Sequence, residues 1–374
     1  MIATTRSERS VGEPTLYVGF ELSQQTWKLA LTSGMGATPV LRTVAPGDGA
    51  ALRRVLAEAR RRLGLPAGAR VVSCYEAGRD GFWIHRLLTT LAVQNRVVDS
   101  ASIEVSRRAK RVKTDRLDAL KLVAMLIRVC QGERGVWREV TVPTAAAEAT
   151  RHGSRERTRL VQDRTALRNQ VRSWLVTWGT AVPRDAHGAW WTTVRDWADH
   201  PLPAALQARI ARAAARLALL DAQVAELDAA QVARVGTAPA ASPAQRLVAL
   251  KGVATTSATT LLDEGLVWRA FRNRREIGAL LGFSPTPFAS GAVQHEQGIS
   301  RAGNARLQST MIQLAWQWVR WQPLSPLSQW FHGHFGPGRR PRKVGIVAVA
   351  RKLLIALWRW ATQGIVPAGA LLKA

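Results

Sequence analysis

The chain has 374 residues, enough for two or three domains that each bury a core, and its 53 lysines and arginines face only 26 acidic residues, a formal charge of +27. That excess points to a polyanionic partner, above all nucleic acid. Apolar runs such as VGIVAVA and LLIALW are too short to span a bilayer, MIATTRSERS has no apolar signal-peptide core, and two cysteines, Cys74 and Cys130, are too few for a disulfide framework or a Cys-rich zinc site. A cytoplasmic, nucleoid-associated protein without a membrane partner is expected, its basic excess growing along the chain until no acid follows Glu296.

In chain order, TLYVGFELS and WKLALTS read as strands joined by a Ser-Gln-Gln-Thr turn, and PVLRTVA as a third strand. GAALRRVLAEARRRLG is a helix ending on glycine, ARVVSCYEAG a buried strand ending at Glu76, DGFWIHRLLTTLA a helix and NRVVDS a short strand. RAKRVKTDRLDALKLVAML follows as a helix, with Thr114 as N-cap and Leu120, Val123, Ala124 and Ile127 as its apolar stripe. Three strands, helix, strand, helix, strand, helix make a mixed α/β domain over residues 15–135.

Residues 150–235 read as a basic helical connector. RERTRLVQDRTALRNQVRSWLVTWG is one helix, and on the next Leu206, Ile210, Ala213, Leu217, Leu220, Val224 and Leu227 recur at four and three spacing. Such a heptad seam serves an internal helical hairpin or a coiled-coil dimer equally well. GTAPAASPA is a linker.

The third domain, residues 245–374, is mainly α. It opens with a helix, glycine turn, helix pattern in ALKGVATTSATTLL, an arrangement that grips phosphates through backbone N–H groups. In its tail GPGRRPRK is expected as a flexible phosphate-binding loop carrying Arg339 and Arg340. Fifteen tryptophans, some interleaved with arginine as in WQWVRWQP, suit base stacking, but Trp316 and Leu314 share a helix with apolar neighbours and point to core packing. HGH at His332 to His334 has glycine where paired-histidine nucleases carry a hydrophobic residue, which leaves a loop or phosphate contact.

Asp115 and Asp118, three residues apart, project from one helix face and either bind a cation together or pair with Lys113, Arg116 and Lys121. With Glu21 on the first strand and Glu76 at a strand end, they lie on elements that an RNase H-like sheet brings together. Four converging carboxylates repel one another and raise their pKa values, so such a cluster implies divalent cations, and magnesium suits an all-oxygen donor set. Two ions about 4 Å apart would activate a nucleophile and stabilise the leaving oxygen of phosphodiester cleavage.

YVGFELSQQTWKLAL, CYEAGRDGFWIHRLL and RAKRVKTDRLDALKLVAML resemble the successive motifs of DEDD-type insertion-sequence transposases, which pair a RuvC-like domain with a serine-bearing transposase domain. LVALKGVATTSATTLL, FRNRREIGALLGFSPTPFASG and GISRAGNARLQSTMIQLAW resemble that family's second domain. The resemblance implies an α/β RNase H-like (RuvC-like) domain whose Glu21, Glu76, Asp115 and Asp118 hold magnesium, and a Ser290 that attacks DNA to give a covalent phosphoserine intermediate. It implies donor and target DNA paired with a structured bridge RNA, and homo-oligomers, dimeric or tetrameric, in which the two domain types combine across subunits. One position departs from the pattern: Glu21 stands where the family usually has aspartate.

On its own terms Ser290 sits in a Ser-Gly pair, which is common turn chemistry, with no Ser/His/Asp spacing around it; His295 reads as a loop residue. Arg301, Gly303, Asn304 and Arg306 suit phosphate binding at a helix start, a role compatible with a polar cap, and Lys113 and Arg116 add basic contacts beside the acidic pair. The expected activity is a transposase or site-specific DNA recombinase. Its rivals are a RuvC-like hydrolytic nuclease of the junction-resolvase type, which uses water and needs no Ser290, and an inactive DNA-binding remnant.

Overall fold

A computed structural model describes residues 13–103, 115–290, 293–300, 303–335 and 338–373, giving the backbone alone for 285–290, 293–297 and 339–340. The chain divides into two compact units, Met1–Val142 and Pro143–Ala374.

The first unit contains β1 (Thr15–Leu22), β2 (Trp27–Thr32), β3 (Val40–Val44), α1 (Gly49–Arg62), β4 (Arg70–Glu76), α2 (Trp83–Thr90), β5 (Gln94–Val98) and α3 (Asp115–Cys130), the order read from the sequence. The strands lie side by side as β3-β2-β1-β4-β5, antiparallel among the first three and parallel from β1 onward. Alternation along each strand assigns the two faces. Leu16, Val18, Phe20, Val71 and Tyr75 pack with Leu52, Leu56, Ile84 and Leu88 of α1 and α2. On the other face Val72 and Cys74 meet Leu122 and Leu126 of α3, and Ala30 meets Ala119 and Val123.

Gly19 sets how closely α3 approaches. A Cβ at this position would stand 2.6 Å from the Ala119 carbonyl oxygen and 2.7 Å from the Val123 nitrogen, so the helix rests on bare sheet backbone. The apolar stripe is rotated from the expected one as a result. Val123 and Ile127 are buried, but Ala124 is exposed and Leu120 only partly covered, while Ala119, Leu122 and Leu126 take the contact. Thr114, the expected cap, lies outside the described residues.

In the second unit α4 (Ala145–Val176) and α5 (Ala204–Gly236) form an antiparallel helical hairpin. The seam residues Ile210 and Ala213 are buried against Leu167, Val171 and Leu175, with Leu206, Leu217 and Leu220 partly covered beside them. Register along the hairpin is marked by Arg157 on Asp228, by Arg164 and Arg168 on Asp221, and by Arg209 lying 3.9 Å over the Trp174 ring. Of the two uses read for the heptad seam, the chain makes the internal one.

There follow α6 (Pro243–Ala249), α7 (Thr255–Asp263), α8 (Arg274–Leu280), β6 (Pro285–Ser290), β7 (Val293–Ile299), α9 (Ala305–Trp321), α10 (Pro326–His334) and α11 (Arg339–Gln363). Leu247, Leu261, Ile277, Met311, Leu353 and Leu357 belong to their common core. Gly252, at φ 89°, makes the turn between α6 and α7 that only glycine adopts freely. Residues from the far end of the chain brace this turn: Leu372 bridges Leu250, Lys251 N–H donates to the Leu371 carbonyl at 3.0 Å, and Lys373 Nζ donates to the carbonyls of Val248 and Val253 at 2.6 and 2.7 Å.

Four expectations change here. GPGRRPRK is not a loop, because Arg339 and Arg340 open α11 behind an N-cap at Gly338, and Pro341 falls in the first turn, where its missing N–H costs nothing. HGH is the helical end of α10, where His334 Nδ1 sits 3.0 Å from the Trp330 carbonyl oxygen. Leu314 is core, but Trp316 is 38% exposed, edge-on to Phe331 and beneath Arg342. The domain is also less purely helical than expected, since β6 and β7 form an antiparallel hairpin that reaches the Ser-Gly pair.

Candidate active site

The four carboxylates of the first unit share one face of the sheet. Glu21 is two residues beyond Gly19 on β1, and Glu76 two beyond Cys74 on β4, so both side chains emerge on the α3 side. The parallel ladder pairs Gly19 with Cys74 and Phe20 with Tyr75, which makes Glu21 and Glu76 the next neighbours across strands about 4.8 Å apart. A cleft of about 310 Å³ opens at these strand ends, lined by Glu21 and Glu76 together with Arg79 and Asp80.

Asp115 and Asp118 precede the sheet-contacting Ala119 and Leu122 by one helical turn, so they continue the same helix face past the end of the core. Lys28 fixes Asp115 there: it is the cross-strand partner of Glu21, and its Nζ donates to Asp115 Oδ2 at 2.9 Å. Sequence proximity pointed to Lys113, Arg116 and Lys121 as partners of the acidic pair, whereas Lys28 enters from 87 residues away through strand register. Arg116 is exposed, and Lys113 lies outside the described residues. Among the described residues no group of three or more His, Cys, Asp or Glu side chains is drawn together tightly enough to hold a metal ion. The all-carboxylate donor set and its common face nonetheless fit a hard divalent cation, since neither nitrogen nor sulfur ligands compete.

In the second unit Ser290 is the last residue of β6, in register with Val293 of β7. Both legs of this hairpin are pinned at its base. Ser300 N–H donates to the Ser284 carbonyl at 2.9 Å, Ser300 Oγ donates to the Gly282 carbonyl at 3.2 Å, and Asn304 N–H donates to the Leu280 carbonyl at 2.9 Å. A Cβ on Gly303 would collide with the backbone of Leu281 and Gly282, so packing at the base of the hairpin requires glycine there.

Asn304 is the N-cap of α9, its Oδ1 accepting from Arg306 and Leu307 N–H at 3.0 and 3.1 Å, while its Nδ2 donates to Glu264 at 2.8 Å. Arg306 is taken up internally by the Ser154 carbonyl and by Glu264 at 3.6 Å. Of the two roles read for Asn304 and Arg306, the polar cap is therefore built at Asn304, while the buried Nη1 of Arg306 makes no hydrogen bond and stands 3.6 Å from Glu264. Arg301 lies outside the described residues, and of Arg339 and Arg340 only the helical backbone is described.

Glu264 itself went unremarked in the sequence, the second of two adjacent acids in TTLLDEGL. It is fully buried, yet Arg155 grips it bidentately at 2.9 and 3.0 Å and Arg151 stands 3.5 Å away. Burial by itself would raise its pKa, but the hydrogen bonds from Arg155 and Asn304 and the charges of Arg155 and Arg151 outweigh it and hold the carboxyl at about 2. Next to it Asp263, also buried, pairs with Arg234 of α5 at 3.0 Å.

Residues 244–328 match the model of the transposase IS116/IS110/IS902 family. Over 377 aligned positions, 96% of this chain and 94% of the relative, the sequence is 39% identical to a Sinorhizobium fredii protein named "Putative transposase y4rJ". The chain belongs to this IS110-type transposase family. A Pseudomonas aeruginosa "Probable family 20 transposase" is 32% identical over 66% of the chain and 72% of its own length. A Yersinia enterocolitica "Transposase for insertion sequence element IS1328" is 27% identical over 61% and 67%. The family match thus spans α6 to the start of α10 and contains the hairpin, Glu264 and the α9 cap, and the full-length relative extends it over the carboxylate face. DNA is accordingly the substrate of this IS110-type transposase, and among its described residues no helix is long and apolar enough to cross a membrane.

Proposed function

We propose that this transposase is a magnesium-dependent, bridge-RNA-guided recombinase in which the first unit is an RNase H-like carboxylate site and Ser290 is the nucleophile. The observation that carries the proposal is the common face of Glu21, Glu76, Asp115 and Asp118, created where α3 settles onto Gly19. The strand order β3-β2-β1-β4-β5, antiparallel and then parallel, is what an RNase H-like domain requires. Guidance by RNA and assembly into dimers or tetramers rest on the family resemblance, and the charge of +27 suits a protein that holds RNA and DNA together.

Bound magnesium would supply Lewis-acid stabilisation of charge at the scissile phosphate and its leaving oxygen. Glu21, Glu76, Asp115 and Asp118 would hold it, the Lys28–Asp115 pair giving way readily because an ion pair this exposed contributes at most about 1 kcal/mol. Ser290 Oγ, losing its proton, would bond to phosphorus as the bond to the deoxyribose oxygen breaks and that oxygen takes up a proton. One ester replaces another, so rejoining needs no ATP.

The test is trapping on DNA spanning an end of the insertion sequence, with magnesium and the RNA that copurifies with the protein, followed by denaturing electrophoresis. A covalent protein–DNA adduct is expected, absent from Ser290→Ala. If Ser290→Ala cleaves and rejoins like the parent, the serine assignment fails and the hydrolytic-nuclease reading replaces it.

A further inference from the structure

We infer that Glu264 is a positioning residue for Ser290: it locks the base of the serine hairpin to helix α4, and so sets where the hairpin tip lies. The inference rests on the reading of Ser290 as nucleophile. Glu264 acts at the base of the hairpin. It ends α7, receives Arg151 and Arg155 from α4, and holds Asn304 and Arg306 at the start of α9, the helix that takes over where the returning leg of the hairpin ends. Arg306 completes the lock by donating to the Ser154 carbonyl of α4. A buried carboxylate this fully engaged fixes three helices at one point, because displacing any of them leaves a charge unpaired away from water.

Leverage makes such a point matter. β6 has 6 residues, so the hairpin tip stands about 20 Å from its base. Over that length a tilt of about 3° moves the tip by about 1 Å, a misplacement that costs a reaction on the order of 100-fold. The hairpin is a single two-stranded sheet pinned at its base by bonds from Ser300 and Asn304, so its aim depends on that base.

The clean variant is Asn304→Ser. Serine remains a good N-cap for α9 but has no amide to donate to Glu264, so the tie is cut while the helix start is kept. Adduct yield per bound DNA is expected to fall roughly 10- to 100-fold, with DNA affinity within about 2-fold of the parent and the melting transition close to it. A second pair supplies a rescue. Asn304→Asp sets two carboxylates against each other and should lose the adduct, and adding Glu264→Gln, which swaps amide and carboxylate, should restore much of it. Parental adduct yield in Asn304→Ser, or a loss in step with DNA affinity and melting temperature, overturns the inference, as does failure of the swap to rescue. Ser290→Ala run beside these separates the causes. An adduct that persists in Ser290→Ala sinks the nucleophile reading and this inference with it, whereas one lost there but kept in Asn304→Ser sinks this inference alone.

Discussion

Replacing Gly19 by Ala tests whether helix packing places the acidic pair. The added methyl would stand 2.6 Å from the Ala119 carbonyl and 2.7 Å from the Val123 nitrogen, both backbone atoms that cannot rotate away. Restoring ordinary contact near 3.4 Å requires α3 to lift by about 0.8 Å. Overpacking of this kind costs about 1–3 kcal/mol, against which the stiffer unfolded chain returns about 0.4–1 kcal/mol, for a net loss of about 1–2 kcal/mol. The lift carries Asp115 and Asp118 away from Glu21 and Glu76, and a shift approaching 1 Å is expected to slow magnesium-dependent DNA cleavage about 100-fold. Urea unfolding measures the first effect and cleavage of a labelled duplex the second. Gly68→Ala, at a position with open space around it, is the matched control: it should leave cleavage unchanged and show only the gain of about 0.4–1 kcal/mol from the stiffer unfolded chain. Parental stability and cleavage in Gly19→Ala would refute the argument that this glycine seats the helix.

Asp115→Asn and Asp118→Asn should each reduce DNA cleavage by about 100-fold or more while folding and DNA binding persist; retained cleavage in both would leave the acids to ion pairs such as Lys28–Asp115. Glu21→Gln should lose activity and Glu21→Asp should keep or raise it, and equal rates in all three forms would remove this position from the metal site. Binding to nucleic acid should weaken linearly in log–log terms with salt, and an affinity that is flat between low and physiological salt contradicts the phosphate-contact reading. Glu264 is held at about 2 against an ordinary 4.5, facing Arg151 and Arg155 of α4 and Arg306 of α9, with the paired Asp263 beside it. Its carboxylate therefore contributes roughly 3 kcal/mol above pH 4.5 that is lost as pH falls toward 2, and Glu264→Gln should flatten that acid limb in pH-dependent melting.

Local chemistry made most of the first unit legible. The four-residue turn before Trp27, the alternation along β1 and β4 and the glycine-ended α1 are each written in a few consecutive residues. Register was not, because it is fixed only when distant strands pair. The hairpin turn sets Lys28 opposite Glu21, but nothing near Asp115 signalled that this lysine, 87 residues earlier, would reach it, and the α3 stripe rotated because Gly19 supplied a hollow. In the second unit PTPFAS hid a strand behind two prolines, which a two-stranded ribbon tolerates because both of its strands are edges. Glu264 read as an ordinary acid, since the arginine that grips it comes from 109 residues earlier. The cap at Asn304 was readable; what its side-chain amide would hold was not.

The bracing of the Gly252 turn gives the molecule an order in time. Lys373 reaches back 125 residues to Val248, so the turn between α6 and α7 lacks its last partners until synthesis has passed Lys373. The first unit, a compact unit ending at Val142, can fold while the ribosome is still working. The serine-bearing unit closes later, and a nascent chain that stalls before Lys373 would carry a folded carboxylate face while the Gly252 turn still lacks its brace.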